Sequence, residues 1–275
     1  KDSANRGSIS LQKEDGMANC CLEETYLAKG VYGADLVRSH GVTDLEGAYQ
    51  IQGLWNEILD NHYGGKIGYK LAYTTAVMQE RVGLDSPAYG VLAKDKVYYE
   101  GHKLYSADYY KLGFEAEIAV KLGESIGSDE PISDIQQLGN KVSMIAPAFE
   151  VIDARADPDL SNEDRLLLSV MFNIFNEGIV LGDWLEDWGN VDLAGIECSM
   201  KINDEIVGTG KGSDVMGNPL NPCLWLVNKL QESGLGLEKD MVIITGSMIS
   251  PKMAVEGDVI SIEMSQLGEV STLVI

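Results

Sequence analysis

The sequence predicts an α+β protein in which a helical N-terminal section is joined to a large mixed β body. Two patterns carry that expectation. Apolar residues recur at helical spacing over about 20–60, and from about residue 90 the chain shifts to strand-like alternation. One well-punctuated helix interrupts the strands near 221, and no internal repeat is present. The expected organisation is a disordered segment 1–19, a helical section 20–85 and a mixed β body 86–275.

Within the helical section, Thr43-Asp44-Leu45-Glu46 reads as a capping box, with Thr43 at the N-cap and Glu46 three residues on. Leu45, Ala48, Trp55, Ile58 and Leu59 follow on one helical face. Lys66 to Tyr73 reads as a strand, and Thr75–Val82 as a short helix. In the β body, Gly113–Val120, Ser199–Val207 and Val259–Met264 alternate with period two. Asn221-Pro222 opens the interrupting helix, with Gly234 beyond its end. The acidic segments 122–140 and 153–165 carry Gly, Ser and Pro and are expected to be exposed.

A formal net charge of -22 excludes nucleic acid as a partner, because phosphate binding needs clustered Lys and Arg. An anionic substrate then needs a local positive element at its site. Apolar runs are too short to span a membrane. Four cysteines in 275 residues form no disulfide framework. A reduced, cytoplasmic setting is therefore expected, the alternatives being a Cys198–Cys223 pair or export after removal of a leader.

Phe114-Glu115-Ala116-Glu117-Ile118 carries the strongest chemical signal. On a strand, Glu115 and Glu117 share one face about 7 Å apart. They form either the solvated face of an edge strand or two ligands of a hard cation. Glu150 sits alone in the apolar run Ser143–Ile152, where an uncompensated carboxylate is costly. It is either ion-paired, Arg155 being a nearby partner, or a third ligand. Lys70, at the end of the apolar Ile67-Gly68-Tyr69, is a surface charge or the required positive element. Gly208-Thr209-Gly210-Lys211-Gly212-Ser213 lacks the phosphate-loop spacing and reads as a glycine-rich turn. His40, His62 and His102 have no metal-ligand spacing.

Several blocks occur in a familiar order: Gly47–Gln52, Ile67–Lys70, Gly83–Pro87, Phe114–Ala119, Pro147–Asp153, Gly210–Ser213, Gly217–Leu220 and Ile244–Ser247. Through them the chain, from about Val42 onward, resembles the 2-keto-4-pentenoate hydratase and 4-oxalocrotonate decarboxylase branch of the fumarylacetoacetate hydrolase superfamily. The resemblance implies a mixed β-roll like the fumarylacetoacetase C-terminal domain, with peripheral helices, assembled as a homo-oligomer. It implies Mg2+ or Mn2+ held by Glu115, Glu117 and Glu150, with Lys70 and Asp85 as catalytic residues. Lys211, Ser213, Thr245 and Ser247 are candidates for the substrate site, the alternative for the hydroxyls of Thr245 and Ser247 being turn caps at a strand end. The expected activity is a lyase reaction, hydration of a small anionic 2-hydroxydienoate or 2-oxo-enoate. The alternatives are decarboxylation of a 2-oxo-dioate, C–C hydrolysis of an acylpyruvate, and metal binding without turnover. The hydrolytic branch uses a Glu-His pair, for which no histidine is suitably placed. Ala72-Tyr73-Thr74 stands where the family has Gly-Leu-Thr, Phe172-Asn173-Ile174 where it has Asp-Asn-Ala, and Gly217-Asn218-Pro219 where it has Gly-His-Pro. The substrate is left open by those departures.

Overall fold

The computed structural model describes residues 22–275. The disorder expected over 1–19 lies outside them, as do Cys20 and Cys21.

The N-terminal section is helical, as the spacing requires. It contains α1 (22–27), α2 (Ala34–Ser39), α3 (Leu45–Gly53) and α4 (Trp55–His62). The cap of α3 is Asp44 and not Thr43: the Asp44 carboxylate accepts from Gly47 N at 2.8 Å. A carboxylate suits the positive end of a helix better than a hydroxyl does, so the helix starts one residue later. The apolar stripe serves two helices, because the chain tightens at Leu54, whose N bonds to Ile51 O. Trp55 anchors α4 by full burial and by donating to Met171 O at 2.7 Å.

Two sheets form the body. The larger has eight strands in the order β2-β1-β10-β5-β6-β7-β3, with β11 continuing along β5. Its members are β1 (Lys66–Ala72), β2 (Ala88–Ala93), β3 (Val97–Tyr99), β5 (Leu112–Leu122), β6 (Val142–Asp153), β7 (Asn176–Leu181), β10 (Val242–Ile244) and β11 (Ile249–Met253). The second sheet has the order β4-β13-β12-β8-β9, from β4 (Lys103–Leu104), β8 (Glu197–Ile202), β9 (Glu205–Lys211), β12 (Val259–Met264) and β13 (Gly268–Val274). The larger sheet curls into a half-barrel, its β2 reaching β7. The mixed, rolled α+β architecture is the expected one. No described helix is long and apolar enough to cross a membrane.

The boundary expected at 85/86 separates β1 from β2, yet these two strands pair antiparallel from Lys66–Ala93 to Ala72–Ala88. One apolar core also takes in both Leu22 of α1 and Val274 of β13. Helical section and β body are thus a single packed unit. Ser199–Val207 is not one strand but the hairpin β8–β9, turned at Asn203 and Asp204 with φ of 51° and 67°. Two such residues make the tight turn that matches strand twist, and period-two alternation continues across it.

Helices α5 (Ala76–Val82), α6 (Ile135–Lys141), α7 (Asn162–Met171) and α8 (Leu220–Glu232) surround the sheets. The segments expected to be exposed are only partly so. Ile126, Ile132, Leu138 and Arg155 are buried, and α7, read from sequence as loop and body, buries every residue from Leu166 to Met171. Its acidic first turn, Glu163 and Asp164, complements the helix N-terminus and only superficially looks like solvent-facing loop. Cys198 and Cys223 are buried free thiols.

Arg155 locks the N-terminal helices onto the body. It is buried, stacks on Tyr32 with its guanidinium carbon 4.2 Å from the ring centre, and donates to Gly30 O, Tyr26 O and Thr25 O. Arg155→Ala would leave three carbonyls without their charged donor, so we expect a loss of about 3 kcal/mol in urea unfolding. Hydrogen exchange should accelerate first in 22–33; exchange unchanged there would refute the anchoring role.

Candidate metal centre

Glu115 and Glu117 do share a face of β5, and β6 brings the third carboxylate to them by register: Glu150 lies directly opposite Glu115. One oxygen of each can be chosen so that all three lie within 4.8 Å of one another. Glu117 and Glu150 are fully buried and Glu115 is partly exposed, which makes Glu115 the open side of the cluster.

Lys70 enters from β1. Gly68, two residues earlier, lets β1 approach β10, since a Cβ there would sit 1.8 Å from Val242 O. Strand register then sets Lys70 beside Ile244. Its buried ammonium lies 2.8 Å from Glu150 Oε1, which also accepts from Asn176 Nδ2 at 3.0 Å. Glu117 Oε2 accepts from Gly246 N at 2.8 Å. Gly246 has φ of 104°, and a Cβ on it would strike Thr74 Oγ1 at 2.1 Å, so only glycine fits this crossing.

Two carboxylate oxygens remain without a partner: Glu117 Oε1 and Glu150 Oε2 are both buried and unbonded. A buried carboxylate oxygen with no donor is unfavourable, and oxygen-only ligation is what a hard dication requires. The acidic triad therefore fits a divalent cation. Glu150 takes both roles left open by the sequence, ion pair through Oε1 and free donor through Oε2, although its partner is Lys70; Arg155 is engaged elsewhere.

The electrostatics agree. Burial and the neighbouring Glu150 charge push Glu115 up to about 8, with Lys70 opposing. Glu117 is raised well above the carboxylate range by burial, then by Glu150 and Glu115. Burial alone would lower Lys70, but Glu150, Glu115 and Glu117 outweigh it and hold the ammonium above its ordinary range.

Of the other expected residues, Thr245 lies beside the cluster, next in the chain to Gly246, whose N bonds to Glu117. Asp85 is exposed in the turn between α5 and β2, two residues after Gly83 ends α5 at φ of 76°. The carboxylates acting on Lys70 are Glu150, Glu115 and Glu117 instead. Gly208–Lys211 is strand β9 and no turn. Gly208 and Gly210 face Ile249 and Met248, so strand alternation turns Lys211 the other way, into an ion pair with Glu197 at 3.4 Å. Lys211 lines an open cavity of about 670 Å³ on the second sheet that contains none of the four cluster residues. Ser213 is exposed. Thr245 is buried beside the cluster with Oγ1 unpartnered, whereas Ser247 Oγ bonds to Ile249 O. Sequence reasoning missed Asn176 and Gly246. An isolated Asn or Gly is ordinarily a turn residue, and nothing local distinguishes these.

None of the three histidines joins the cluster. His40 bonds to Leu36 O, His62 pairs with Glu23, and His102 stacks on Tyr98.

Residues 72–275 match the fumarylacetoacetate (FAA) hydrolase C-terminal family. The chain belongs to it. Among the FAA hydrolase relatives, it is 27% identical over 230 residues to 2-oxo-hept-4-ene-1,7-dioate hydratase of Escherichia coli, across 82% of this chain and 85% of that one. It is 26% identical over 234 residues to 2-keto-4-pentenoate hydratase 1 of Dechloromonas aromatica strain RCB, across 84% and 86%. The fold is shared with 4-oxalocrotonate decarboxylase from Pseudomonas putida G7 complexed with magnesium and adipate. There the TM-score is 0.87 at 22% identity, covering 96% of this chain and 98% of that one. A second structure of that decarboxylase, with calcium and acetate, gives a TM-score of 0.85 at 23% identity over the same shares.

Raised carboxyl groups make this FAA hydrolase centre sensitive to pH. Glu115 binds a proton more tightly folded than unfolded, so its contribution to stability is full below the ordinary glutamate range and is lost as pH rises through about 8. A dication competes with that proton. We expect the melting temperature in EDTA to fall from pH 6 to pH 9, and the gain on adding Mg2+ to grow over the same window. A metal-induced gain that shrinks with rising pH would contradict the assignment.

Proposed function

We propose that this chain is a lyase that adds water to a 2-hydroxydienoate or its 2-oxo-enoate tautomer, with Mg2+ or Mn2+ as cofactor. The observation that carries this reading is the Glu115–Glu117–Glu150 triad, with two buried donorless oxygens, beside Lys70. Two hydratase relatives alignable over more than four-fifths of the chain support the reaction class.

When bound, the metal supplies Lewis-acid polarisation of the oxygen next to the substrate carboxylate. Glu115, Glu117 and Glu150 hold it, and Asn176 and Gly246 N fix two of those carboxylates in orientation. Glu150, Glu115 and Glu117 favour the ammonium form of Lys70, which suits it to hold positive charge and to give a proton. Thr245 Oγ1, buried and free, is a hydrogen-bond group for substrate or water at the inner wall. Asp85 belongs to the proposal as a second proton-handling group, reached through solvent from its exposed turn. A homo-oligomeric, cytoplasmic enzyme completes the reading. Acylpyruvate hydrolysis is disfavoured by the placement of all three histidines away from the triad.

The test is incubation of 2-hydroxydienoates, oxalocrotonate and acylpyruvates with Mg2+ or Mn2+, following product mass. Gain of one water on a dienoate supports the reading; loss of carbon dioxide from oxalocrotonate alone would replace it with decarboxylation.

Two sets of variants follow. Glu117→Gln should abolish metal-dependent turnover while the circular dichroism spectrum is kept. Lys70→Ala should lower turnover by roughly 100-fold or more, the scale of losing an acid–base group. Asp85→Asn, from its exposed position, should cost less than about 10-fold on the same scale. Steady-state kinetics with saturating metal checks all three, and intact turnover in Lys70→Ala would overturn the assignment.

A further inference from the structure

Between α7 and β7, Asn173, Ile174 and Phe175 have φ of 55°, 50° and 59° in succession. The left-handed region is visited by single residues, and least of all by a β-branched or aromatic one. Strain of this kind persists where surrounding contacts over-determine it. Asn173 is buried, and its side chain accepts from Val91 N at 2.7 Å and donates to Val91 O at 2.9 Å on β2. Gly90 makes room for that hold, since a Cβ there would sit 2.6 Å from Asn173 Oδ1. Phe172 stacks on Tyr32 with ring centres 4.0 Å apart, and Phe175 flanks the same ring.

A second irregularity follows at once. On β6, Glu150 lies opposite Ile179 and Val151 opposite Gly178, but Ile152 lies opposite Asn176. Glu177 is thus the extra residue of a β-bulge, and a bulge re-aims the side chains beyond it. Ile179 shares the inner face with Glu150, so plain alternation would turn Asn176, three positions earlier, to the outer face. The bulge reverses this. Glu177 goes outward to Tyr26 of α1 and to Lys96, and the Asn176 amide comes inward to Glu150 Oε1 at 3.0 Å.

Two irregular features therefore serve one hydrogen bond, and its target explains why. Oε1 of Glu150 already accepts from Lys70 at 2.8 Å on β1. A second donor, arriving from β7 on the other side, commits that oxygen and leaves Oε2 alone unbonded. Glu117 likewise gives Oε2 to Gly246 N and keeps Oε1 free. Two of the three carboxylates thus offer a cation one oxygen each.

We propose that Asn176 is a positioning residue of the metal centre, delivered by the Asn173–Phe175 turn and the Glu177 bulge, and that it makes Glu150 a one-oxygen ligand. Carboxylates that give one oxygen suit a small octahedral cation such as Mg2+. Ca2+ takes about six to eight oxygens and accepts both oxygens of a carboxylate. The centre therefore discriminates against the larger ion. This rests on the triad being a metal centre and is independent of the reaction.

The test is calorimetric titration of the metal-free full chain with Mg2+ and with Ca2+, no substrate being present. The unaltered chain should bind Mg2+ at least as tightly as Ca2+. Asn176→Ala should weaken Mg2+ binding by about 10-fold, the scale of losing a hydrogen-bond partner behind a ligand, and Ca2+ binding by less than about 3-fold. A merely structural role would weaken both alike and leave their ratio in place. Asn173→Ala keeps the amide but releases the turn from Val91, and it should lower the Mg2+-to-Ca2+ affinity ratio in the same direction. Asn176→Ala, checked by circular dichroism, carries the test if Asn173→Ala does not fold. Tighter binding of Ca2+ by the unaltered chain, or an unchanged ratio in Asn176→Ala, overturns the inference. A ratio lowered by Asn176→Ala but not by a folded Asn173→Ala strikes the turn from it. Binding of neither ion by the unaltered chain defeats the metal-centre reading and this inference with it.

Discussion

The Lys70–Glu150 ion pair is the contact around which the larger sheet is arranged. Lys70 is on β1 and Glu150 on β6, with β10 and β5 between them. Three strand spacings in a flat sheet amount to about 14 Å, and side chains that stand roughly perpendicular to the sheet do not close that distance. An ion pair of 2.8 Å therefore requires a concave sheet, with both residues on its inner face. The same curl carries β2 to β7, and the Asn173 side chain closes that seam by bonding both to Val91 N at 2.7 Å and to Val91 O at 2.9 Å. Curvature, closure and charge placement are one constraint.

That constraint leaves a defined electrostatic deficit. Three carboxylates against one ammonium carry two negative charges when ionised, in a buried place where like charges repel strongly. The structure shows where the compensation belongs, because Oε1 of Glu150 is satisfied by Lys70 and Asn176 while Oε2 is not, and Oε2 of Glu117 is satisfied by Gly246 N while Oε1 is not. Glu150 and Glu117 are thus each held by one oxygen and offer the other. Protons can fill the deficit, which is why Glu115 and Glu117 titrate high, but a dication fills it with the right charge and ligand chemistry.

The sequence made the within-strand part of this centre legible and hid the rest. Alternation put Glu115 and Glu117 on one face without any tertiary knowledge, and the apolar surroundings of Glu150 marked it as needing compensation. What supplies that compensation depends on strand order, which no local pattern reveals. Arg155, five residues away in sequence, is turned to the N-terminal helices, while Lys70, eighty residues away, is adjacent. The fold class followed from periodicity, but α7 did not, since an acidic helix start and an acidic loop have the same composition. Resemblance located blocks well and side chains less well. Asp85 lies in a matched block and is exposed, and Lys211 lies in another and faces the outer side of its sheet, because direction along a strand changes with every residue.

The family match begins at residue 72, yet the centre cannot be assembled from there onward. Lys70 precedes it, as does Gly68, which lets β1 close on β10. Strand β1 is internal to the sheet, paired parallel to β10 on one side and antiparallel to β2 on the other. Without it, both neighbours would present unpaired edges, and Glu150 would lose the cation that balances Oε1 in a buried site. The helices before β1 are equally committed, since Trp55 donates to Met171 O and Gln52 Nε2 donates to Val170 O, both on α7, the helix that carries Ser169. The N-terminal section thus positions α7, the Ser169 hydroxyl of α7 meets the Tyr73 hydroxyl at 2.8 Å just past β1, and β1 carries the lysine that makes the acidic cluster tolerable in the interior.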